Sequence, residues 1–129
     1  MKVAEVMTKD VIWLDADEPI SLAAWTMAAE FITGAPVRDH TGKLVGVLSN
    51  TDVAREAAPS VNKKVSSLMS TSVVSITEDA PLVDAARLFA ERSVHRIVVT
   101  DSSGAVVGVV TALDVLRGLH LSGILSATK

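Results

Sequence analysis

Sliding the sequence past itself by 62 residues sets Gly46 on Gly108, Ser49 on Thr111, Asp52 on Asp114 and Arg55 on Arg117. The alignment runs without a gap from Val3/Val65 to Ala57/Leu119. Across those 55 positions 17 residues are identical, where typical residue frequencies give about four by chance. Duplication on this scale means two copies of one supersecondary unit, each too small to bury its apolar face alone. In both copies an apolar run (residues 44–48 and 105–110) breaks at a hydroxyl residue, Ser49 or Thr111, and an Asp follows three positions later. The run reads as a buried strand and the break as the start of a helix. Unpaired N–H groups and partial positive charge collect at such a turn. Hydroxyl and carboxylate at this spacing make a helix cap. The same turn also suits a sugar hydroxyl with a phosphate close by. The residues alone leave both roles open.

At 129 residues the chain holds one compact module of two halves, divided at 1–60 and 61–129. Aromatic residues make up 3% against 49% hydrophobic overall, so the core must be aliphatic. Net charge is −3, and neither a basic run nor a basic–aromatic alternation occurs, which argues against a nucleic-acid partner. The absence of cysteine rules out disulfides, thiolate metal sites and a thiol nucleophile, and suits a reducing compartment. No apolar core follows Lys2 as a signal peptide would need, and no apolar stretch is long enough to span a membrane. The expectation is a cytoplasmic chain without a membrane partner.

In order, each copy opens with a short apolar leader, Val3 to Met7 and Val65 to Met69, expected as a single turn leading into its own unit. Small β-branched strands follow at 11–14 and 73–76. Asp17-Glu18-Pro19 and Asp79-Ala80-Pro81 mark helix starts, with proline suited to the first helical position. The apolar spacing predicts helices over 20–32 and 82–94. Two strands then flank a glycine turn, at Gly42 and Gly104, as in a hairpin. Pro36 removes a ladder donor, so its strand should lie at an edge or be paired on one side only. Short helices are expected at 51–58 and 113–119, a linker at 59–64, and a fraying tail at 120–129. The fold class is therefore α/β (α+β): two pseudo-symmetric β-α-β-β-α units packed sheet to sheet, with clefts at the seam.

Taken in order, these marks resemble a tandem pair of CBS domains, the regulatory module named for cystathionine β-synthase. The likeness covers nearly the whole chain. It rests on Val6-Met7-Thr8, Asp17-Glu18-Pro19, residues 35–39, Gly42 to Ser49 and Asp52, and on Leu68-Met69-Ser70, Asp79-Ala80-Pro81, residues 95–101, Gly104 to Thr111 and Asp114. The resemblance implies binding of an adenosine nucleotide such as AMP, ADP or ATP, as ligand and not as cofactor. Ser49/Asp52 and Thr111/Asp114 would hold ribose and approach phosphate. His95 and Arg96 would meet phosphate, and Val11, Ile12, Val73 and Val74 would meet the base through their backbone. The first copy has Thr33 and Gly34 where the second has His95 and Arg96, so the turn at Thr111/Asp114 is the expected better site.

Competing signals are weaker. Thr41-Gly42-Lys43 resembles part of a phosphate loop, but Val37 stands where that motif needs glycine. His40, His95 and His120 have no neighbours at metal-ligand spacing, and His95 serves equally as a surface pairing residue. No nucleophile–base constellation stands out, so no enzyme activity is expected. One alternative is a ligand-free interaction module acting by dimerisation, with an effector protein as a further partner. Leu22, Trp25 and Ala29 form a second apolar stripe on the first long helix, where the other copy has Asp84, Arg87 and Glu91. A helix apolar all round should be buried all round. A homodimer interface is one reading of the stripe, and cover by the tail around Leu121 and Ile124 is the other.

Overall fold

Each copy builds a three-stranded sheet, and the two copies do so almost residue for residue. The computed structural model describes residues 1–56 and 63–123. Positions 57–58 of the expected short helix, positions 59–62 of the expected linker and the tail from Ile124 lie outside them. In the first copy the elements are β1 (Leu14–Asp15), α1 (Ile20–Ala29), β2 (Gly34–Arg38), β3 (Leu44–Ser49) and α2 (Asn50–Ala54). In the second they are β4 (Ser75–Thr77), α3 (Leu82–Glu91), β5 (Arg96–Thr100), β6 (Val106–Thr111) and α4 (Ala112–Leu121). The sheet orders are β1-β2-β3 and β4-β5-β6, with the first pair parallel and the second antiparallel in each.

The units do not follow the repeat boundary at their leading ends. One compact unit is continuous, Ile12–Val73, and the other is split, joining Met1–Val11 to the chain from Val74 onward. Each leader therefore belongs to the unit that carries the other copy's sheet, contrary to the expectation of a turn in its own unit. In the split unit, Thr8 and Val109 exchange N–H···O bonds at 2.8 and 3.0 Å, so the leader extends the β6 edge. In the continuous unit, Ser70 and Val47 do the same at 2.9 Å each.

β2 is the central strand, paired on both sides, contrary to the edge or one-sided pairing expected from Pro36, and that exchange explains how the proline is tolerated. Pro36 sits opposite Val47, whose N–H and C=O both turn outward to Ser70, so the strand asks no donor of it on that side. On its other side β1 reaches only Val37 and Arg38. In the split unit the equivalent residue is Val98. Its N–H donates to the Val74 carbonyl at 3.0 Å, and β4 accordingly starts one position earlier than β1.

Both first strands begin later than predicted, leaving Val11, Ile12, Val73 and Val74 outside regular strand. Both long helices end three residues early. Pro19 and Pro81 occupy the residue before the helix, in extended backbone, rather than its first position. The cores are aliphatic. Leu14, Ile20, Val37 and Leu48 are buried in the continuous unit, and Val3, Leu82, Ile97 and Val110 in the split one.

Candidate functional site

The strand-to-helix turns form the same structure twice. Thr111 closes β6 in extended backbone and α4 begins at the next residue. Its Oγ1 accepts the Asp114 N–H at 3.2 Å, and Asp114 Oδ2 accepts the Thr111 N–H at 2.9 Å. Ser49 and Asp52 repeat this at 3.1 and 2.9 Å. Each box satisfies two helix-end donors reciprocally, so the capping role holds at both turns. It occupies only one carboxylate oxygen. Asp52 Oδ1 lies 3.8 Å from the Arg55 guanidinium. Asp114 has no ion pair among the described residues and is half-buried.

The register decides what faces each turn. Arg96, the first residue of β5, lies directly across from Thr111, whereas Gly34 lies across from Ser49. Directly opposed residues share a sheet face, so Arg96 is paired with Thr111 on one face, whereas Ser49 is paired with a glycine. His95 precedes Arg96 and is exposed. The bond from Val98 to the Val74 carbonyl brings Val74 to this same end of the split unit. In the continuous unit, Ile12 leads into β1 at the end that carries Gly34 and Ser49. Val11 and Val73 fall at the last positions before the chain changes unit.

The structure adds Thr8, which sits beside Val109, two residues before the Thr111 turn. A signal for it was present. A glycine shared by both copies in mid-strand marks a close backbone approach. A Cβ on Gly108 would lie 2.6 Å from Met7 Sδ and 3.0 Å from the Thr8 carbonyl oxygen.

Leu22, Trp25 and Ala29 are not part of either turn. They lie exposed on α1, with Trp25 at 68% of its full accessibility, while Asp84 and Arg87 on α3 form an ion pair at 3.4 Å. Leu121 is also exposed. Among the described residues no cluster of His, Cys, Asp and Glu suits a metal ion, and no helix is long and apolar enough to cross a membrane.

Comparison with known proteins places this geometry. The family model described as "CBS domain" matches residues 3–59 and 65–121. An uncharacterised protein of Methanocaldococcus jannaschii is 34% identical over 117 residues, 91% of this chain and 39% of that protein. Inosine-5′-monophosphate dehydrogenase of the same organism is 34% identical over 116 residues, 90% of this chain and 23% of the enzyme. The chain thus spans well under half the length of these two relatives. Among solved structures, a CBS domain pair in complex with 5′-methylthioadenosine and S-adenosyl-L-methionine superposes with a TM-score of 0.84 at 27% identity, covering 95% of this chain and 98% of that one. CBSX2 in complex with AMP, a protein of Arabidopsis thaliana, gives 0.79 at 27% identity, covering 94% and 97%.

Proposed function

This chain belongs to the CBS-domain family, and we propose on that footing that it is a regulatory module that binds an adenosine-containing nucleotide. The observation that carries the reading is the juxtaposition in the split unit of Arg96, Thr111 and Asp114, on a fold whose solved relatives hold AMP or S-adenosylmethionine-type ligands. Asp114 accepts ribose hydroxyls through the oxygen its cap leaves open. Arg96, with His95 beside it, meets phosphate, for which a planar guanidinium is well matched. Val74, at the same end of this unit, offers backbone groups to the base, and Ile12 holds the corresponding place at the turn of the continuous unit. Ser49 and Asp52 form the corresponding turn without an opposed cation, so a phosphorylated ligand prefers the turn at Thr111.

Binding here is regulatory and not followed by turnover, since no nucleophile–base pair stands at the turn. The reading places the module in the cytoplasm, as a homodimer through Leu22, Trp25 and Ala29, acting on an effector protein. A thermal-shift screen with AMP, ADP, ATP, 5′-methylthioadenosine and S-adenosylmethionine tests it. At a hundredfold excess over Kd a bound ligand stabilises by about 2.7 kcal/mol, a shift of several degrees. No shift with any of the five would favour a ligand-free module acting by association alone.

A further inference from the structure

β4 is an edge strand, paired with β5 on one side only. The Val98 N–H donates to the Val74 carbonyl at 3.0 Å and the Glu78 N–H to the Thr100 carbonyl at 2.8 Å. Alternate residues thus turn their backbone groups toward β5, and Ser75 and Thr77 turn theirs outward. Both residues are exposed. The Thr77 carbonyl is taken by the Ala80 N–H at 3.1 Å. The Ser75 N–H and carbonyl and the Thr77 N–H are left facing the open side.

The other copy covers the same edge. Asp15, which aligns with Thr77, gives its N–H to Glu18 Oε1 at 2.7 Å. Its carboxylate is held by Arg38 Nε at 3.1 Å, and that guanidinium lies 5.8 Å from the Trp13 ring centre. The second copy has Ala80, Thr100 and Ser75 in place of Glu18, Arg38 and Trp13. Leu14 on β1 is buried, whereas Ile76 on β4 is only partly so. Proteins blunt their sheet edges with charged side chains and cover, and here one of two matched edges lacks them. Beside it runs a groove of about 380 Å³ between β4 and α3. Ile76, Ala80 and Leu88 are its apolar lining, and Asp84, Arg87 and Glu91 its charged lining. Arg87 pairs with Asp84 at 3.4 Å, and Glu91 has no ion pair among the described residues. Two carboxylates against one guanidinium leave the groove negative.

We propose that β4 takes up an extended segment of an effector protein as a further strand, with an apolar and a basic side chain of that segment entering the groove. This rests on the effector reading above and gives the effector its docking surface. Side chains of a strand alternate between faces, so residues two apart on the added segment share the face on which α3 lies. Main-chain bonds to Ser75 and Thr77 supply affinity, and the groove selects the sequence. The apolar residue meets Ile76 and Leu88, and the lysine or arginine meets Glu91. β4 begins one residue after Val74, whose backbone is read above as meeting the base, so strand capture and ligand binding act on one stretch of chain.

Two octapeptides test this on the full chain. In one, threonine alternates with valine and lysine in turn; in the other, glutamate replaces lysine. At tenfold excess over its Kd the lysine peptide should slow amide exchange of Ser75 and Thr77 about tenfold by NMR, with Asp15 unchanged. The glutamate peptide should bind several-fold more weakly, and Glu91→Lys should reverse that preference. Ala80→Glu, which installs the cover of the other copy, should abolish the protection. Unchanged exchange at Ser75 and Thr77 with both peptides, or equal protection in Ala80→Glu, overturns the β4 site and leaves the effector reading standing. Protection that grows with protein concentration in the absence of peptide shows β4 pairing with a second copy, and also overturns it. With the peptide bound on β4, an altered Kd for AMP supports both readings, because coupling between two sites is reciprocal. An unaltered Kd for AMP keeps the strand site and overturns the effector reading.

Discussion

Replacing Gly46 with alanine should be more damaging than replacing Gly108, although the two occupy the same place in the repeat. A Cβ on Gly46 would lie 2.7 Å from the Ser70 carbonyl oxygen and 2.8 Å from Met69 Sδ. The carbonyl belongs to the leader, which is tied to β3 by the two Val47–Ser70 bonds, so relief requires the backbone to shift and those bonds to stretch. Overpacking of this kind costs about 1–3 kcal/mol, and a loosened backbone pair adds to it, so about 2–3 kcal/mol is expected. On Gly108 the nearest atom is Met7 Sδ at 2.6 Å, the far part of a flexible side chain, and the Thr8 carbonyl is farther, at 3.0 Å. There the cost should be about 1–2 kcal/mol, partly recovered when Met7→Ala makes room. For a chain of this length each kcal/mol moves Tm by roughly 4 °C. Circular dichroism melts without ligand should thus show a fall of about 8–12 °C for Gly46→Ala and about 4–8 °C for Gly108→Ala. A Gly46→Ala variant melting within about 1 °C of wild type would refute the claim that the leader lies against β3.

Two further outcomes follow from the caps and turns. Asp114→Asn keeps an oxygen for the Thr111 N–H and so should hold wild-type stability while losing nucleotide affinity, whereas Asp114→Ala should also lose roughly 0.5–2 kcal/mol of stability with its cap; paired urea melts and ligand titrations check this, and equal melts for the two variants would contradict it. In the hairpins, the Thr41 hydroxyl, then the Lys43 and Thr41 N–H groups, hold the Asp39 carboxyl below its ordinary 3.8, and the Ser103 hydroxyl leads the same effect on Asp101. A lowered folded-state pKa stabilises the fold above the unfolded value, and that contribution is lost as pH falls through the folded one. Asp39→Asn with Asp101→Asn should therefore flatten the decline of Tm below about pH 4, and an unaltered decline would count against it.

The duplication made the fold legible because its offset fixed which residues are equivalent and the turn chemistry fixed where strands become helices. Ser49/Asp52 and Thr111/Asp114 were readable because capping is local, set by residues three apart. Arg96 was legible as the difference between copies, but its place across from Thr111 depends on strand register, which one strand's sequence does not contain. The exchanged leaders were not legible. Which sheet edge a leader extends is a long-range choice, marked only by Gly46 and Gly108. The early end of α1 was missed for a physical reason as well. Its stop residue is Phe31, and nothing in the local pattern announces a left-handed phenylalanine where glycine is usual.

The central claim is that Arg96, Thr111 and Asp114 together hold a phosphorylated adenosine ligand. Calorimetric titration of AMP and of adenosine into wild type and Arg96→Ala tests it most directly. A charge-assisted contact contributes about 1.5–3 kcal/mol, a ten- to hundredfold effect on Kd. AMP should bind wild type more tightly than adenosine by about that factor, and the preference should vanish in Arg96→Ala while adenosine affinity stays the same. AMP bound equally by wild type and Arg96→Ala, or no heat of binding from either ligand, would contradict the claim.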